Sequence, residues 1–316
     1  MTKILVTDIA WPDFAIEEEI LERVHAEPVI ATNTDEQTLV RFATDCEAIM
    51  TCWAPTTARV IQACQRCRIV ARFGIGLDNI DVAHCTKHGI PVTNVPDYCL
   101  GEVADHTLAL LLSLARKISF YDSQIKAGGY DLRSGYPLNR LSERTLGIIG
   151  FGRIGREVAR RAQAFGIKVI VYSRNLAAVD AAEQQVRPVP LDVLLSHSDF
   201  ISLHVPLTEE TSCLLGKHEF ETMKPGAFLI NTARGGLIDH GALLDALNSG
   251  HLRGAALDVT EPEPLNHDHP LLRHERVVHT PHAAFASEES IAELRARTAK
   301  EVVRALKGMP LQHRVN

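Results

Sequence analysis

From residue 4 to residue 280, short apolar runs alternate with segments of helical period. That alternation is the mark of a parallel sheet with crossover helices, because each strand must be covered on both faces and each helix on one. The first strands fall at 4–6, 48–51, 69–72 and 91–94, which makes a first α/β unit ending near Pro96. A long apolar helix follows over about 100–118, with Glu102 and Asp105 early and Arg116 and Lys117 in its last turn, as the helix dipole favours. Residues 119–144 are polar, contain three glycines and a proline, and read as an arm without a period. A second series of strands falls at 145–149, 168–172, 200–203, 227–231, 254–258 and 277–280, six strands that joined by helices make a doubly wound sheet. A last helix covers about 288–307.

With 316 residues the chain is long enough for two domains, although one large α/β barrel would also fit. Its 46% hydrophobic and 23% charged residues exclude disorder, collagen and coiled coil. The formal net charge of -6 argues against a nucleic-acid or membrane surface, which needs a clustered positive field. The N-terminus lacks a secretory h-region, and the longest apolar stretch, 108–115, is too short to span a bilayer. Seven cysteines suit reduced thiols in a cytoplasmic protein. Cys64 and Cys67 form one CxxC without a second pair, so no metal site is expected.

Strand 145–149 runs directly into Gly150, Phe151, Gly152, Arg153, Ile154 and Gly155, and then into a helical stretch. The flanking strand and helix supply the context that makes GxGxxG a dinucleotide loop. Gly150 makes the tight turn, Gly152 admits a pyrophosphate, Gly155 lets helix and strand close up, and amides of Arg153 and Ile154 face the phosphates. The next strand ends in Ser173 and Arg174, where an acid would hold the ribose hydroxyls of NAD. Without that carboxylate, and with a guanidinium able to pair with a 2′-phosphate, NADP is expected to be preferred over NAD. The alternative is NAD bound through Ser173 beside an exposed Arg174.

Three more segments place polar groups at strand ends, where open α/β sheets bind ligands: Asn231 to Gly236, Asp258 to Pro264 and Thr280 to Phe285. An Arg, a Glu and a His converging on a nicotinamide suit reduction of a 2-oxo acid. Arg234 offers a planar fork for the carboxylate and carbonyl oxygen, His282 passes a proton, and Glu263 orients and stabilises the imidazolium.

These motifs resemble the D-2-hydroxyacid dehydrogenase family, which includes D-3-phosphoglycerate dehydrogenases, glyoxylate/hydroxypyruvate reductases and the C-terminal-binding-protein corepressors. The likeness extends over almost the whole chain, and the stretch from Thr280 to Ser287 reads closest to the corepressor branch. It implies a Rossmann coenzyme domain, residues 99–287, inserted in a flavodoxin-like substrate domain, residues 1–98 and 288–316. It also implies Arg234, Glu263 and His282 as the catalytic set. Gly74, Ile75 and Gly76 would hold the substrate carboxylate, with Arg72 and Asn79 close by. Thr232, Ala233, Arg234, Asp258 and His282 would border the nicotinamide; His204, Val205, Pro206 and Thr211 would lie on the rest of the cofactor. The 119–144 arm resembles the family's homodimer contact, and with no regulatory domain after Asn316, serine-type feedback is not expected. The rival function is a dinucleotide-sensing dimeric scaffold like the corepressors, which keep the same three residues. Trp53 and Phe285 are candidates for substrate selectivity or for core packing.

Overall fold

A computed structural model describes residues 1–174 and 182–316. Contacts divide the chain into two compact units, Met1–Tyr98 with Ser287–Asn316, and Cys99–Ala286. Each has its own open parallel sheet, which excludes the single barrel.

The first unit holds β1 (Thr2–Val6), β2 (Ala26–Ile30), β3 (Cys46–Thr51), β4 (Val70–Arg72) and β5 (Val92–Thr93), in the spatial order β2-β1-β3-β4-β5. This is the flavodoxin-like order. Leu5, Ile49, Val70 and Val92 pack one face against Leu39 and Val60. β2 had no signal in the pattern: it is an edge strand, half exposed, and carries Glu27 and Pro28. An edge tolerates the proline because half of its backbone donors face away from the sheet.

The last helix, Glu288–Leu306, is capped by Ser287, whose hydroxyl accepts from the Ser290 amide at 2.9 Å. Its Arg295 forks onto Glu17 through Nε at 2.9 Å and Nη2 at 2.8 Å, and reaches Asp13 at 2.8 Å. Glu17 is fully buried, so this guanidinium ties the end of the chain to the beginning. Arg295→Ala should lower the unfolding free energy by about 3 kcal/mol in urea denaturation, because a buried carboxylate loses its partner. A change below about 0.5 kcal/mol would show that the pair does not hold the helix.

The second unit holds β6 (Thr145–Ile149), β7 (Lys168–Tyr172), β8 (Arg187–Pro188), β9 (Phe200–Leu203), β10 (Ala227–Asn231), β11 (Leu252–Leu257) and β12 (Val277–His279). Their order is β12-β11-β10-β9-β6-β7-β8, all parallel, which is the Rossmann order with one strand added. The two residues of β8, exposed and without an apolar signal, make this sheet seven-stranded rather than six-stranded. Alternate residues sort to opposite faces: Phe228 and Ile230 join the helices Leu100–Arg116 and Arg153–Ala164, whereas Ala227 and Leu229 join Leu191–His197 and His240–Asn248. Chain order reverses between β6 and β9, the position at which such sheets bind ligands.

The arm differs from the expectation in a specific way. Helix Leu100–Arg116 stops at Lys117, which caps it with a left-handed φ of 57°, and a separate helix, Ile118–Lys126, takes up the first part of the region expected to lack a period. No glycine marks that stop. Short 3-10 turns at Leu132–Gly135 and Leu141–Glu143 follow.

Candidate active site

The glycine loop connects β6 to the helix Arg153–Ala164, with Gly152 at the N-cap. Gly150 has a φ of +96°, and a Cβ on it would collide with the His204 carbonyl. A Cβ on Gly155 would strike the Gly150 carbonyl, so the turn closes only with glycine at both positions. A Cβ on Gly152 would meet nothing within 4 Å. The loop is thus packed tightly from beneath and open above the helix N-terminus, a cradle that fits a pyrophosphate. Phe151 is buried under Arg156, whose guanidinium lies 5.2 Å from the ring centroid. Arg153 is exposed and Ile154 half-buried against the core.

Beside the loop, the His204 amide donates to Ile149 O at 2.7 Å, and the ring Nε2 meets Ser202 Oγ at 2.8 Å. Burial pushes the His204 pKa down to about 4, so this imidazole is neutral at physiological pH. Val205 is half-buried and Pro206 exposed. Thr211 is buried and donates to Pro206 O at 2.7 Å while accepting from the Thr208 amide at 2.8 Å, which folds the segment back on itself. At the end of β7, Ser173 is half-buried. Arg174 is exposed and its Nη1 is paired with Glu210, a partner that the sequence pattern did not reveal.

The three catalytic candidates sit on loops after β10, β11 and β12. Asn231 shapes the first loop: its side chain accepts from the Ala233 amide at 3.0 Å and donates to Arg234 O at 2.8 Å. Arg234 is half-buried and its Nη1 donates to Ala233 O at 2.7 Å. The next residue, Gly235, packs directly on the Thr260 carbonyl, so the Arg234 turn and the loop carrying Glu263 are in contact. Glu263 Oε1 lies 2.6 Å from His282 Nδ1, with the His side chain 20% exposed and the Glu 40%. Phe285 presents its edge to His282 at 6.1 Å between centroids.

Asp258 is buried at 2% exposure and acts as a hub for the last loop. Its carboxylate accepts from the amides of Ala283 at 2.8 Å and Ala284 at 3.0 Å, and its carbonyl accepts from the His282 amide at 2.8 Å. Thr232, also buried, shares a 2.9 Å hydrogen bond with Thr107. His106 and Thr107 had no assigned role in the sequence. Polar residues inside an apolar helix give no hint of partners on distant loops.

The remaining candidates belong to the first unit. Arg72 is buried; its Nε donates to Gly76 O at 3.1 Å, and Nη1 is bonded to the Phe73 carbonyl. Asn79 donates to Ala54 O at 3.0 Å and Cys52 O at 3.3 Å. Arg72 therefore braces the Phe73–Gly76 backbone, whereas Asn79 ties down the loop after β3. The Gly74 carbonyl accepts from Val95 N at 3.0 Å, and the Ile75 carbonyl from Asn94 Nδ2 at 2.8 Å. Trp53 is 43% exposed, which removes it from the core. Cys64 and Cys67 lie just after the helix Ala58–Ala63, joined by a Cys67 amide to Cys64 carbonyl bond of 2.8 Å. Among the described residues, no group of three or more His, Cys, Asp or Glu side chains is placed to hold a metal.

The family model described as "D-isomer specific 2-hydroxyacid dehydrogenase, NAD binding domain" matches residues 108–284. A glyoxylate reductase from Korarchaeum cryptofilum is 41% identical over 278 residues, 86% of this chain and 83% of that one. A D-3-phosphoglycerate dehydrogenase from Archaeoglobus fulgidus is 39% identical over 288 residues, 91% of this chain but 54% of that one. The chain thus spans about half the length of that curated relative. Among solved structures, a D-lactate dehydrogenase from Aquifex aeolicus complexed with NAD and lactic acid superposes with a TM-score of 0.89 at 31% identity, covering 97% of this chain and 96% of the other.

Proposed function

The chain belongs to the D-2-hydroxyacid dehydrogenase family, and on that premise we propose that it interconverts a 2-oxo acid and a D-2-hydroxy acid with NAD(P)H. The observation that carries this reading is the 2.6 Å bond between His282 Nδ1 and Glu263, on a loop in contact with the Arg234 turn. Bound in the glycine cradle, the nicotinamide coenzyme supplies or accepts the hydride. The chain's own residues do the rest. Arg234 binds the carboxylate and polarises the carbonyl through its planar fork. Glu263 fixes His282 by Nδ1, which leaves Nε2 as the nitrogen that gives a proton to the carbonyl oxygen during reduction and takes it back during oxidation. Gly74, Ile75 and Gly76 hold the substrate carboxylate, Arg72 positions that segment, and Asn79 holds the neighbouring loop at Cys52 and Ala54. On this reading residues 1–98 and 288–316 are the substrate domain and 99–287 the coenzyme domain. The relatives described above are named as reductases and dehydrogenases, which favours catalysis over a corepressor-like scaffold. Loss of NAD(P)H absorbance with a panel of 2-oxo acids tests the proposal; no loss with any of them would contradict it.

The preferred coenzyme is NADP. Ser173 neither holds nor repels the 2′ position strongly, and Arg174 supplies a cation that pairs with a 2′-phosphate. The Glu210 carboxylate now on Arg174 competes for the same guanidinium, so phosphate binding must displace it. Both side chains are exposed, and a solvent-screened pair of this kind is weak. The expected ratio of kcat/KM for NADPH over NADH is roughly 5-fold to 150-fold. Arg174→Ala should collapse it and Glu210→Gln should raise it. Equal or better use of NADH by the wild type would overturn the preference.

The chain also acts as a cytoplasmic homodimer joined through the coenzyme domain. Ile118, Ile125, Tyr130, Leu132 and Tyr136 are all exposed within one short stretch, with Tyr130 at 95%, an apolar surface that a second copy would cover. Ile125→Asp with Leu132→Asp should shift the mass in solution from dimer to monomer, as measured by light scattering. A wild type already monomeric at micromolar concentration would contradict the dimer. The seven cysteines are free thiols, as suits a reducing compartment. Among the described residues no helix is long and apolar enough to cross a membrane.

A further inference from the structure

We propose that His106 is a positioning residue: acting through Thr280 and Asp258, it holds the segment 282–284 in the conformation that proton transfer requires. This inference rests on the assignment of His282 as the proton donor.

His282 has a φ of 51°, in the left-handed region that non-glycine residues seldom occupy. Such a conformation persists where surrounding bonds over-determine it. Here Asp258 accepts from three consecutive amides, that of His282 through its carbonyl and those of Ala283 and Ala284 through its two carboxylate oxygens, and the His282 amide also reaches the Thr280 carbonyl at 3.1 Å. A carboxylate buried this deeply is held in place by its donors. Two are the amides it positions. A third is the Thr280 hydroxyl, at 2.5 Å from Oδ1.

That hydroxyl has a single proton, and it is given to Asp258. Thr280 Oγ1 must therefore accept from its other neighbour, His106 Nε2, at 3.0 Å. This fixes Nε2 of His106 as protonated, and the same nitrogen lies 3.5 Å from Asp258 Oδ1. His106 projects from the helix Leu100–Arg116, which is packed into the sheet through Leu108, Leu111 and Leu114. The packed helix thus orients the Thr280 hydroxyl, the hydroxyl orients the carboxylate, and the carboxylate fixes the amides of Ala283 and Ala284, directly after His282. The His106 donor closes the chain of bonds that sets the backbone next to His282.

The test combines backbone exchange with kinetics. In His106→Leu the helix keeps an apolar residue but the donor is gone, so peptides covering 280–286 should exchange amide hydrogen at least about threefold faster, with other segments unchanged. Reduction should show kcat lowered about tenfold, with coenzyme affinity, read from fluorescence of the reduced coenzyme, within twofold. His106→Gln can present an amide donor near the position of Nε2, and should restore both readouts to within about threefold of wild type. Thr280→Val should reproduce the Leu phenotype and Thr280→Ser should not, which keeps the proposal testable if His106→Leu fails to fold. Unchanged exchange at 280–286 in His106→Leu or Thr280→Val would overturn the proposal, as would a His106→Gln variant no better than Leu. A wild type inactive toward every 2-oxo acid would instead count against the functional assignment, while the exchange measurement would still decide the role of His106.

Discussion

Replacing His282 with alanine should lower kcat for 2-oxo acid reduction by about 10²-fold to 10⁴-fold, the range over which a positioned general acid contributes. In the proposed mechanism one ring nitrogen carries this role. Nδ1 is engaged by Glu263 at 2.6 Å, so Nε2 is the remaining site of proton exchange, and alanine removes it without disturbing the Asp258 bonds to the backbone of the same loop. Coenzyme affinity should therefore change little, and the loss should appear in kcat. Glu263→Gln keeps a polar group beside Nδ1 but loses the carboxylate that orients the ring at 2.6 Å, so it should cost less, about tenfold. An alanine variant that turned over within threefold of wild type would show that His282 is not the proton donor.

Arg234→Lys should reduce kcat/KM for a 2-oxo acid by about 10²-fold although the charge is retained. The guanidinium is half-buried, with Nη1 already bonded to Ala233 O at 2.7 Å, and only a planar fork can keep that bond while presenting further donors to a carboxylate and a carbonyl. An ammonium is a point charge on a flexible stem and cannot do both. The fall should be shared between a raised KM and a lowered kcat, because the fork contacts an oxygen that gains charge as the carbonyl is reduced. If kcat/KM in the lysine variant were within twofold of wild type, Arg234 would not bind the reacting group.

The parallel-sheet architecture was legible because strands covered on both faces must be apolar, and ten of them stand out for that reason. The two that did not, Ala26–Ile30 and Arg187–Pro188, are edge strands that each contain a proline and show little burial. The stop at Lys117 was hidden for a different reason: a lysine there adopts the left-handed conformation that a glycine would have advertised. At the site, the glycine loop was readable because Gly150 and Gly155 sit where any Cβ would strike backbone. Glu263 and His282 were readable as residue types at strand ends, but their direct bond is a product of loop folding. His106 and Thr280, separated by 174 positions, had no shared signal. The Arg174 side chain was visible as a cation, whereas Glu210, 36 positions later, entered only through tertiary structure and changes what that cation must give up to bind a phosphate.

Hydride transfer on the D-enantiomer of a 2-hydroxy acid is tested by offering the protein matched D and L pairs of 2-hydroxy acids with NADP and, separately, NAD. The expected result is the appearance of reduced coenzyme with at least one D-acid, none with its L partner, and loss of that activity in His282→Ala. Equal turnover of both enantiomers, turnover of L-acids alone, or no reduced coenzyme with any pair and no oxidation of NAD(P)H by the corresponding 2-oxo acids would contradict it.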